Sequence, residues 1–393
     1  MPIPAQKNDN PRLVINGYPL LLRHKGVGAY TARLLHGLHR HCPELTFRVL
    51  LPEDLKSTAD EFPGVVFEFV SGRPPLRGAI VADIYWAHRI VSVALQKYPN
   101  AIFHSPAEIW SIRRPRRSIV TLHDCIYRFF PSLLGGRLRK WWWFATEKYA
   151  SKCDLVLTVS ECSRNDLQHH ANIPAKKLRK IYSWVGQSDR RGGAEPGDWE
   201  TLVHRYQLPP TYILYLGGYN CNKNVERLIQ AYGRARLAND LPPLVLAGGI
   251  PPAHLHPAVC DVRTTIEQTG LSSGAILTIG PIENADLNNI IRNARFLVFP
   301  SLYEGFGYPV AEAMSLGTPV IAANRTSLKE IVRNTHCQFD PTDVTAIAQK
   351  LNEAHRNPIA FRSALPPECS ETQGIAAYLA CISEVENTPS STC

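Results

Sequence analysis

Two glutamates with seven residues between them, Glu304 and Glu312, mark the stretch of this sequence best suited to chemistry. The stretch lies between two apolar runs, FLVFP and PVIAA, and its pattern is strand, loop, helix, turn, strand. Glycines in the loop let backbone approach a ligand, and the free N–H groups that start a helix favour anions. Two carboxylates would repel a phosphate but accept hydrogen bonds from hydroxyls. The pattern therefore predicts a site for a diphosphate flanked by a ribose and a hexose.

A second glycine-rich turn, GGYNCNKN, follows the apolar run YILYL and precedes a helical stretch. Lys223 in this turn carries a positive charge, which could neutralise negative charge that develops on a leaving group. Asn222 beside it could hydrogen-bond a phosphate but carries no charge. We expect both residues near a carboxyl edge of a sheet, where doubly wound sheets bind ligands.

The N-terminal half offers two further candidates. Gly26 and Gly28 form a short G-x-G loop before the first predicted helix, and His123 follows the predicted strand SIVTL. The loop is not a dinucleotide fingerprint, because the third glycine is missing. A histidine at the end of a strand could donate to a sugar hydroxyl, steady a charged transition state, or pack in the core. The residues alone leave these alternatives open.

Short β-rich runs alternate with helical stretches through the chain, which predicts parallel, doubly wound α/β sheets. A Gly-, Pro- and charge-rich stretch near residues 186–208 predicts a linker. We therefore expect an N-terminal Rossmann-like domain over residues 1–205 and a second over 206–393, facing a central cleft. A helix around Thr372–Glu386 is expected to end the second domain.

The segment containing Glu304 and Glu312, with GFG, Pro309 and GTP in register, resembles the E-x7-E signature of family 4 of the retaining glycosyltransferases. The resemblance implies the GT-B fold, with Glu304 on the transferred sugar and Glu312 on the ribose. The same resemblance implies further residues that contact the donor: Gly26, Gly28, His123, Asn222, Lys223, Gly305, Phe306 and Gly307. The family usually has an Arg-Lys pair in the second turn, and this sequence has Asn222 in the Arg position.

The resemblance implies transfer of a hexose with retention, for which mannose from GDP-mannose is our expectation. The acceptor would be a glycan or lipid-linked glycan in cell-surface polysaccharide synthesis. No cofactor and no metal are expected, and no Asp-x-Asp motif is present. A sugar-nucleotide epimerase of the same fold is a rival, although such enzymes lack the E-x7-E context. A binding or scaffold protein that has lost transfer is the other alternative, and Asn222 is the feature that favours it.

Charge is unevenly distributed along the chain. Residues 1–205 hold 30 Lys+Arg and 18 Asp+Glu, whereas the remainder holds 13 and 16. A basic half indicates an anionic partner. Basic residues Arg137, Arg139 and Lys140 directly precede WWWF, and adjacent basic and aromatic residues suit an anionic membrane surface. Consecutive tryptophans cannot share one helix face, so we expect at least one in the core.

Other classes of protein are excluded or disfavoured by composition. With 45% hydrophobic and 20% charged residues the chain is globular rather than disordered. No apolar stretch reaches the roughly 18 residues of a spanning helix, and the N-terminus lacks the apolar core of a signal peptide. Ten cysteines occur without a C-x-x-C pair, which argues against a zinc site or a disulfide framework. No nucleic-acid-binding module is present. We expect a cytoplasmic protein, peripheral on the inner face of a membrane.

Overall fold

The computed structural model describes residues 10–22, 26–74, 79–186, 199–249 and 258–388. The chain forms two compact units. The first unit comprises Met1–Cys125, Gly136–Trp184 and Ser370–Cys393, and the second comprises Ile126–Gly135 and Val185–Cys369.

The first unit is built on a parallel sheet whose inner strands are mostly buried and apolar, as parallel sheets require, while its two edge strands are partly exposed. In the described residues its order is β3-β2-β1-β4-β5-β6-β7. The strands are β1 Leu13–Asn16, β2 Phe47–Pro52, β3 Phe67–Val70, β4 Ile102–Ser105, β5 Ser118–Thr121, β6 Leu155–Thr158 and β7 Leu178–Lys180. The α-helices between them are α1 Gly26–His41, α2 Ala79–Lys97, α3 Ile126–Phe129, α4 Arg137–Lys152 and α5 Glu161–His170. Of these, α3 belongs to the second unit.

The second unit has a parallel sheet of the same kind, with the order β10-β9-β8-β11-β12-β13. Its strands are β8 Ile213–Leu216, β9 Leu244–Ala247, β10 Ile276–Gly280, β11 Phe296–Phe299, β12 Val320–Ala323 and β13 Gln338–Phe339. The α-helices that follow in the chain are α6 Trp199–Tyr206, α7 Val225–Ala238, α8 Val262–Gln268, α9 Asn284–Asn293, α10 Tyr308–Ser315, α11 Thr326–Ile331, α12 Val344–Arg356 and α13 Glu371–Asn387.

Short 3₁₀ helices complete the connections of both units. They are Tyr18–Leu22, Glu53–Glu61, Pro131–Leu134, Ala175–Lys177, Cys221–Lys223, Thr335–Cys337, Pro358–Phe361 and Pro367–Cys369.

The predicted fold class, two doubly wound parallel sheets, is confirmed. In each sheet the first strand lies in the middle, and the strand order reverses beside it. The reversal falls between β1 and β4 in the first unit and between β8 and β11 in the second, where strands pair in parallel. Ser160 is the N-cap of α5, since its side chain accepts the Ser163 N–H at 3.0 Å.

The position of the C-terminal helix contradicts the prediction that residues 206–393 form one domain. Helix α13 belongs to the first unit. The Tyr378 hydroxyl lies 2.8 Å from Nδ1 of the buried His104 on β4. Three acidic residues of this segment form ion pairs with the same unit: Glu371 with Arg40, Glu384 with Arg179, and Glu386 with Arg12. These contacts, rather than chain order, decide where the helix belongs.

The predicted boundary at residue 205 is wrong as well, because α6 belongs to the second unit. Arg205 and the Tyr206 hydroxyl donate to the Asp286 carboxylate of α9 at 2.7 and 2.8 Å. Most of the predicted linker, residues 187–198, lies outside the described residues.

No helix among the described residues combines the length and the apolar character that a membrane crossing would need.

Candidate functional site

The second unit places two candidate loops side by side at its strand-order reversal. The turn carrying Lys223 follows β8, and the loop carrying Glu304 follows β11. Strands β8 and β11 are neighbours and parallel, so their carboxyl ends meet at one edge of the sheet. Open α/β sheets bind ligands at this kind of crevice.

The Glu304 loop is held by hydrogen bonds from the start of α11. The Glu304 N–H donates to the Thr326 hydroxyl at 3.1 Å, and the Ser327 hydroxyl donates to the Glu304 carbonyl at 3.0 Å. Ser327 also donates to the Phe306 carbonyl at 2.9 Å. The loop backbone is therefore fixed, and the position of the Glu304 carboxylate is determined before any ligand binds.

The structure brings Lys223 and Glu304 into direct contact. The Lys223 Nζ lies 2.6 Å from Oε1 of Glu304, and both side chains are mostly buried. The ammonium also lies 5.7 Å from the ring centroid of Phe299, at the end of β11. An ammonium has three donors and a carboxylate has two oxygens. While paired, Lys223 can therefore still donate to a phosphate, and Glu304 can still accept from a hydroxyl. The arrangement can therefore hold a sugar hydroxyl and a phosphate next to each other.

Asn222 holds the two loops together instead of facing outward. Its side chain is buried, with 2% of the residue exposed, and its Nδ2 donates to the Tyr303 carbonyl at 3.1 Å. Its own carbonyl accepts the Leu302 N–H at 2.7 Å and the Ser301 hydroxyl at 3.0 Å. The expectation that the Asn222 amide binds phosphate does not fit this conformation, because the amide group is turned towards Tyr303.

Asn224 is a positioning residue that the sequence analysis missed. It has a left-handed backbone, with φ of 60°, at the N-cap of α7. Its Nδ2 donates to the Pro300 carbonyl at 3.1 Å and to the Pro341 carbonyl at 2.7 Å. The available signal was an Asn directly before a helix, since Asn tolerates a positive φ better than most residues.

Helix α10 begins as predicted, next to the Glu304 loop. Gly307 is its N-cap, with φ of 98°, and Pro309 lies in the first turn. Gly305 and Phe306 complete the loop ahead of it. Glu312 lies in the second turn and is half-buried. The N-terminus of α10 thus lies at the same edge of the sheet as Lys223 and Glu304.

In the first unit, Gly26 and Gly28 lie inside a helix. We expected a loop before a helix that starts near Tyr30, but α1 already begins at Gly26. The Thr31 hydroxyl donates to the Val27 carbonyl at 2.9 Å within its first turns. The two glycines therefore lie in the N-terminal turn of a 16-residue helix. The free N–H groups of this turn favour an anion.

His123 is a buried, neutral histidine. Its Nε2 donates to the Pro106 carbonyl at 2.9 Å, and its ring packs edge-on against Tyr30 at 4.9 Å. Burial lowers the pKa of His123 to about 4. The ring is therefore uncharged at neutral pH, and it would contact a transition state there as a neutral group. Of the alternatives left open by the sequence, the structure favours a histidine packed in the core.

Glu108, which the sequence analysis missed, lies beside His123. Burial raises the pKa of Glu108 to about 7, and the carboxyl accepts the His123 backbone N–H. Nearby Asp124 raises this pKa further. The Glu108 side chain follows the C-terminal end of β4. With a pKa near 7 it can either donate or accept a hydrogen bond, which suits the binding of hydroxyl groups. No local motif surrounds Glu108, so the sequence held no signal for it.

Known proteins resemble this chain in both sequence and fold. The Escherichia coli protein O-antigen chain mannosyltransferase B is 31% identical over 257 residues, which cover 65% of this chain and 65% of that protein. The E. coli Serotype-specific mannosyltransferase WbdA is 29% identical over 213 residues, which cover 54% of this chain and 26% of that protein. The matched stretches thus span about two thirds of the first relative and a quarter of the second.

A solved structure of Anabaena Alr3699/HepE in complex with UDP-glucose superposes with a TM-score of 0.65. The match covers 98% of this chain and 100% of that one at 15% identity, so it supports a shared fold and nothing further. Two family models match the sequence, "Glycosyltransferase Family 4" over residues 24–186 and "Glycosyl transferases group 1" over residues 203–368. Together these models account for most of both units, and the chain belongs to the family 4 glycosyltransferases of the GT-B fold.

Proposed function

We propose that this glycosyltransferase moves a mannosyl residue from GDP-mannose to a glycan or lipid-linked glycan in cell-surface polysaccharide synthesis. The observation that carries the proposal is the Lys223–Glu304 pair at the strand-order reversal of the second unit. The names of two relatives, both mannosyltransferases, support the choice of sugar. The Anabaena structure, solved with UDP-glucose, supports a nucleotide sugar as donor.

In the proposed reaction each residue has a separate role. Glu304 accepts hydrogen bonds from the transferred sugar, and Glu312 accepts them from the ribose. Lys223 and the N-terminus of α10 stabilise the negative charge on the leaving diphosphate. The leaving phosphate oxygen takes the proton of the acceptor hydroxyl on the face where the new bond forms, so configuration is retained. No metal and no cofactor take part in this scheme, and we expect transfer to continue in EDTA.

A scaffold protein without transfer activity is the second candidate, and Asn222 favours it. The position that usually carries an arginine holds a buried, uncharged amide. The two candidates share donor binding but differ in turnover. Formation of GDP and of a mannosylated product from GDP-mannose would establish the enzyme, whereas binding of GDP-mannose without either product would establish the scaffold.

The donor proposal predicts the outcome of a thermal-shift panel of nucleoside diphosphates. GDP at about 100 times its dissociation constant should stabilise the protein by about 2.7 kcal/mol. UDP, ADP and CDP at the same concentration should stabilise it less, and guanosine should do so least because it lacks the diphosphate. A larger shift with UDP than with GDP would contradict the choice of GDP-mannose. Equal shifts with guanosine and GDP would contradict a diphosphate site.

We further propose that the first unit associates with an anionic membrane surface through α4. The expectation that at least one tryptophan is in the core is confirmed, since Trp142 is buried. Trp141 and Phe144 remain exposed, at 44% and 53%. Lys148 lies over the Phe144 ring at 4.7 Å, which places one more cation beside these aromatics. Exposed aromatics next to basic residues are typical of interfacial helices.

Replacing Arg137, Arg139 and Lys140 together by Ser should weaken lipid binding by about 3 kcal/mol, because each basic residue near an anionic surface contributes about 1 kcal/mol. Co-sedimentation with vesicles containing anionic lipid, at low and high salt, measures this. A control variant with three exposed basic residues elsewhere in the unit changed to Ser should bind like wild type. Those residues are Lys56, Arg73 and Lys176. Binding that is insensitive to salt, or equal in both variants, would count against α4 as the docking surface.

A further inference from the structure

A groove of about 310 Å³ lies on the second unit, at the amino ends of β11 and β12. Arg295 directly precedes β11, and Pro319 directly precedes β12. In a parallel sheet this edge is opposite to the one that carries Lys223 and Glu304. The groove is lined by three arginines and several apolar residues, among them Arg292, Arg295, Arg362, Leu316, Pro358 and Ile359. We call it the arginine groove.

The three arginines of the arginine groove have no carboxylate partner among the residues that the structure describes. Other arginines of the same unit do, as Arg205 pairs with Asp286 at 2.7 Å and Arg333 with Glu368 at 2.9 Å. Arg295 donates through Nη2 to the His355 carbonyl at 2.5 Å, and its Nε is buried without a hydrogen-bond partner. Three arginines therefore line one groove without an ion pair to a carboxylate of the described residues.

Helix termini offset only part of this charge. Helices α9, α10 and α12 all end beside the groove, and each C-terminus carries roughly −0.5 of a charge. Three such ends amount to about half of the positive charge on the arginines. The pKa of His355, which lies next to the groove, is lowered by burial and then by Arg295, while the Asp240 carboxylate raises it and Arg356 lowers it. The arginines of the groove thus carry more positive charge than the three helix ends offset.

We propose that the arginine groove binds the phosphate group of a small phosphorylated metabolite. A guanidinium forms two parallel hydrogen bonds with a phosphate, and three of them can satisfy a dianion. The apolar side chains of Leu316, Pro358 and Ile359 provide a surface for the rest of the molecule, and Ile359 is 70% exposed. The volume lies at the lower end of the roughly 300–1,000 Å³ range of small-molecule sites. This site does not depend on the proposed transfer reaction.

The test is isothermal titration calorimetry with glucose 6-phosphate as the probe and unphosphorylated glucose as the reference. The double variant Arg292→Gln, Arg362→Gln should lose at least about tenfold in affinity, because each arginine supplies charged hydrogen bonds. Arg295 is left unchanged, since it also holds the His355 carbonyl. The control Arg234→Gln, Arg263→Gln removes the same charge from an exposed face of the same unit and should bind like wild type.

The Lys223→Ala variant separates this site from the donor site. If the proposal holds, Lys223→Ala binds glucose 6-phosphate as wild type does, even where it no longer binds GDP. No binding to wild type would overturn the proposal. Binding lost in Lys223→Ala but kept in the arginine double variant would overturn it too, because the phosphate would then sit at the donor turn. Equal losses in the double variant and its control, or binding of plain glucose, would show that the groove is not a phosphate site.

Discussion

Glu304→Ala is expected to lower the rate of sugar transfer on the order of 100-fold or more, with little effect on folding. The substitution removes the carboxylate proposed to hold the transferred sugar, and a hydrogen bond to a charged group contributes about 1.5–3 kcal/mol. It also removes the anchor of Lys223, 2.6 Å away, which is proposed to stabilise the leaving diphosphate. Transfer kinetics measure the loss of rate. A denaturant titration measures the free energy of unfolding, which should change little.

A double-mutant cycle with Lys223→Ala tests whether the two residues act as a unit. Because each positions the other, the double variant should be about as slow as the slower single variant, and not slower by the product of both effects. Glu353→Ala is a matched control, since Glu353 pairs with Lys350 at 2.7 Å elsewhere in the same unit. That variant should transfer sugar at the wild-type rate. Strictly additive losses in the cycle would mean that Lys223 and Glu304 act independently, and wild-type turnover of Glu304→Ala would refute its assignment.

Gly307→Ala is expected to destabilise the second unit by about 3 kcal/mol and to weaken donor binding with it. The backbone has φ of 98°, and placing a side chain in this region costs about 1–2 kcal/mol. A Cβ at this position would lie 2.5 Å from Cδ2 of Leu328, which adds an overpacking cost of about 1–3 kcal/mol. Denaturant unfolding and GDP binding by calorimetry are the two measurements.

Gly317→Ala is the matched control, just beyond the other end of the same helix. Gly317 also has a positive φ, of 76°, but a Cβ there meets nothing within 4 Å. Its variant should therefore lose only the backbone part, about 1–2 kcal/mol, and should bind GDP normally. If both variants lost the same stability, contact with Leu328 would contribute nothing. If Gly307→Ala bound GDP as wild type does, the N-terminus of α10 would not belong to the donor site.

Local patterns in the sequence were sufficient for the fold class and for much of the sheet edge that carries Lys223 and Glu304. The strands β5, β8, β11 and β12 could be predicted to within one residue, because a run of apolar β-formers bounded by turn residues depends on its immediate neighbours. The strand, loop, helix pattern likewise predicted a helix after the Glu304 loop, where α10 begins. The proposed roles of Glu304 and Lys223 came from a family resemblance, to which the structure adds a direct contact between the two side chains.

What the sequence could not determine depends on residues far apart in the chain. Lys223 and Glu304 are 81 positions apart, and only the pairing of β8 with β11 brings them together. Tyr378 and His104 are 274 positions apart, and their hydrogen bond helps to place the C-terminal helix on the first unit. Asn222 and His123 have polar side chains suited to a ligand, yet the structure buries both. Burial is the sum of contacts with every neighbouring element, so a side chain's type and its neighbours in sequence do not decide it.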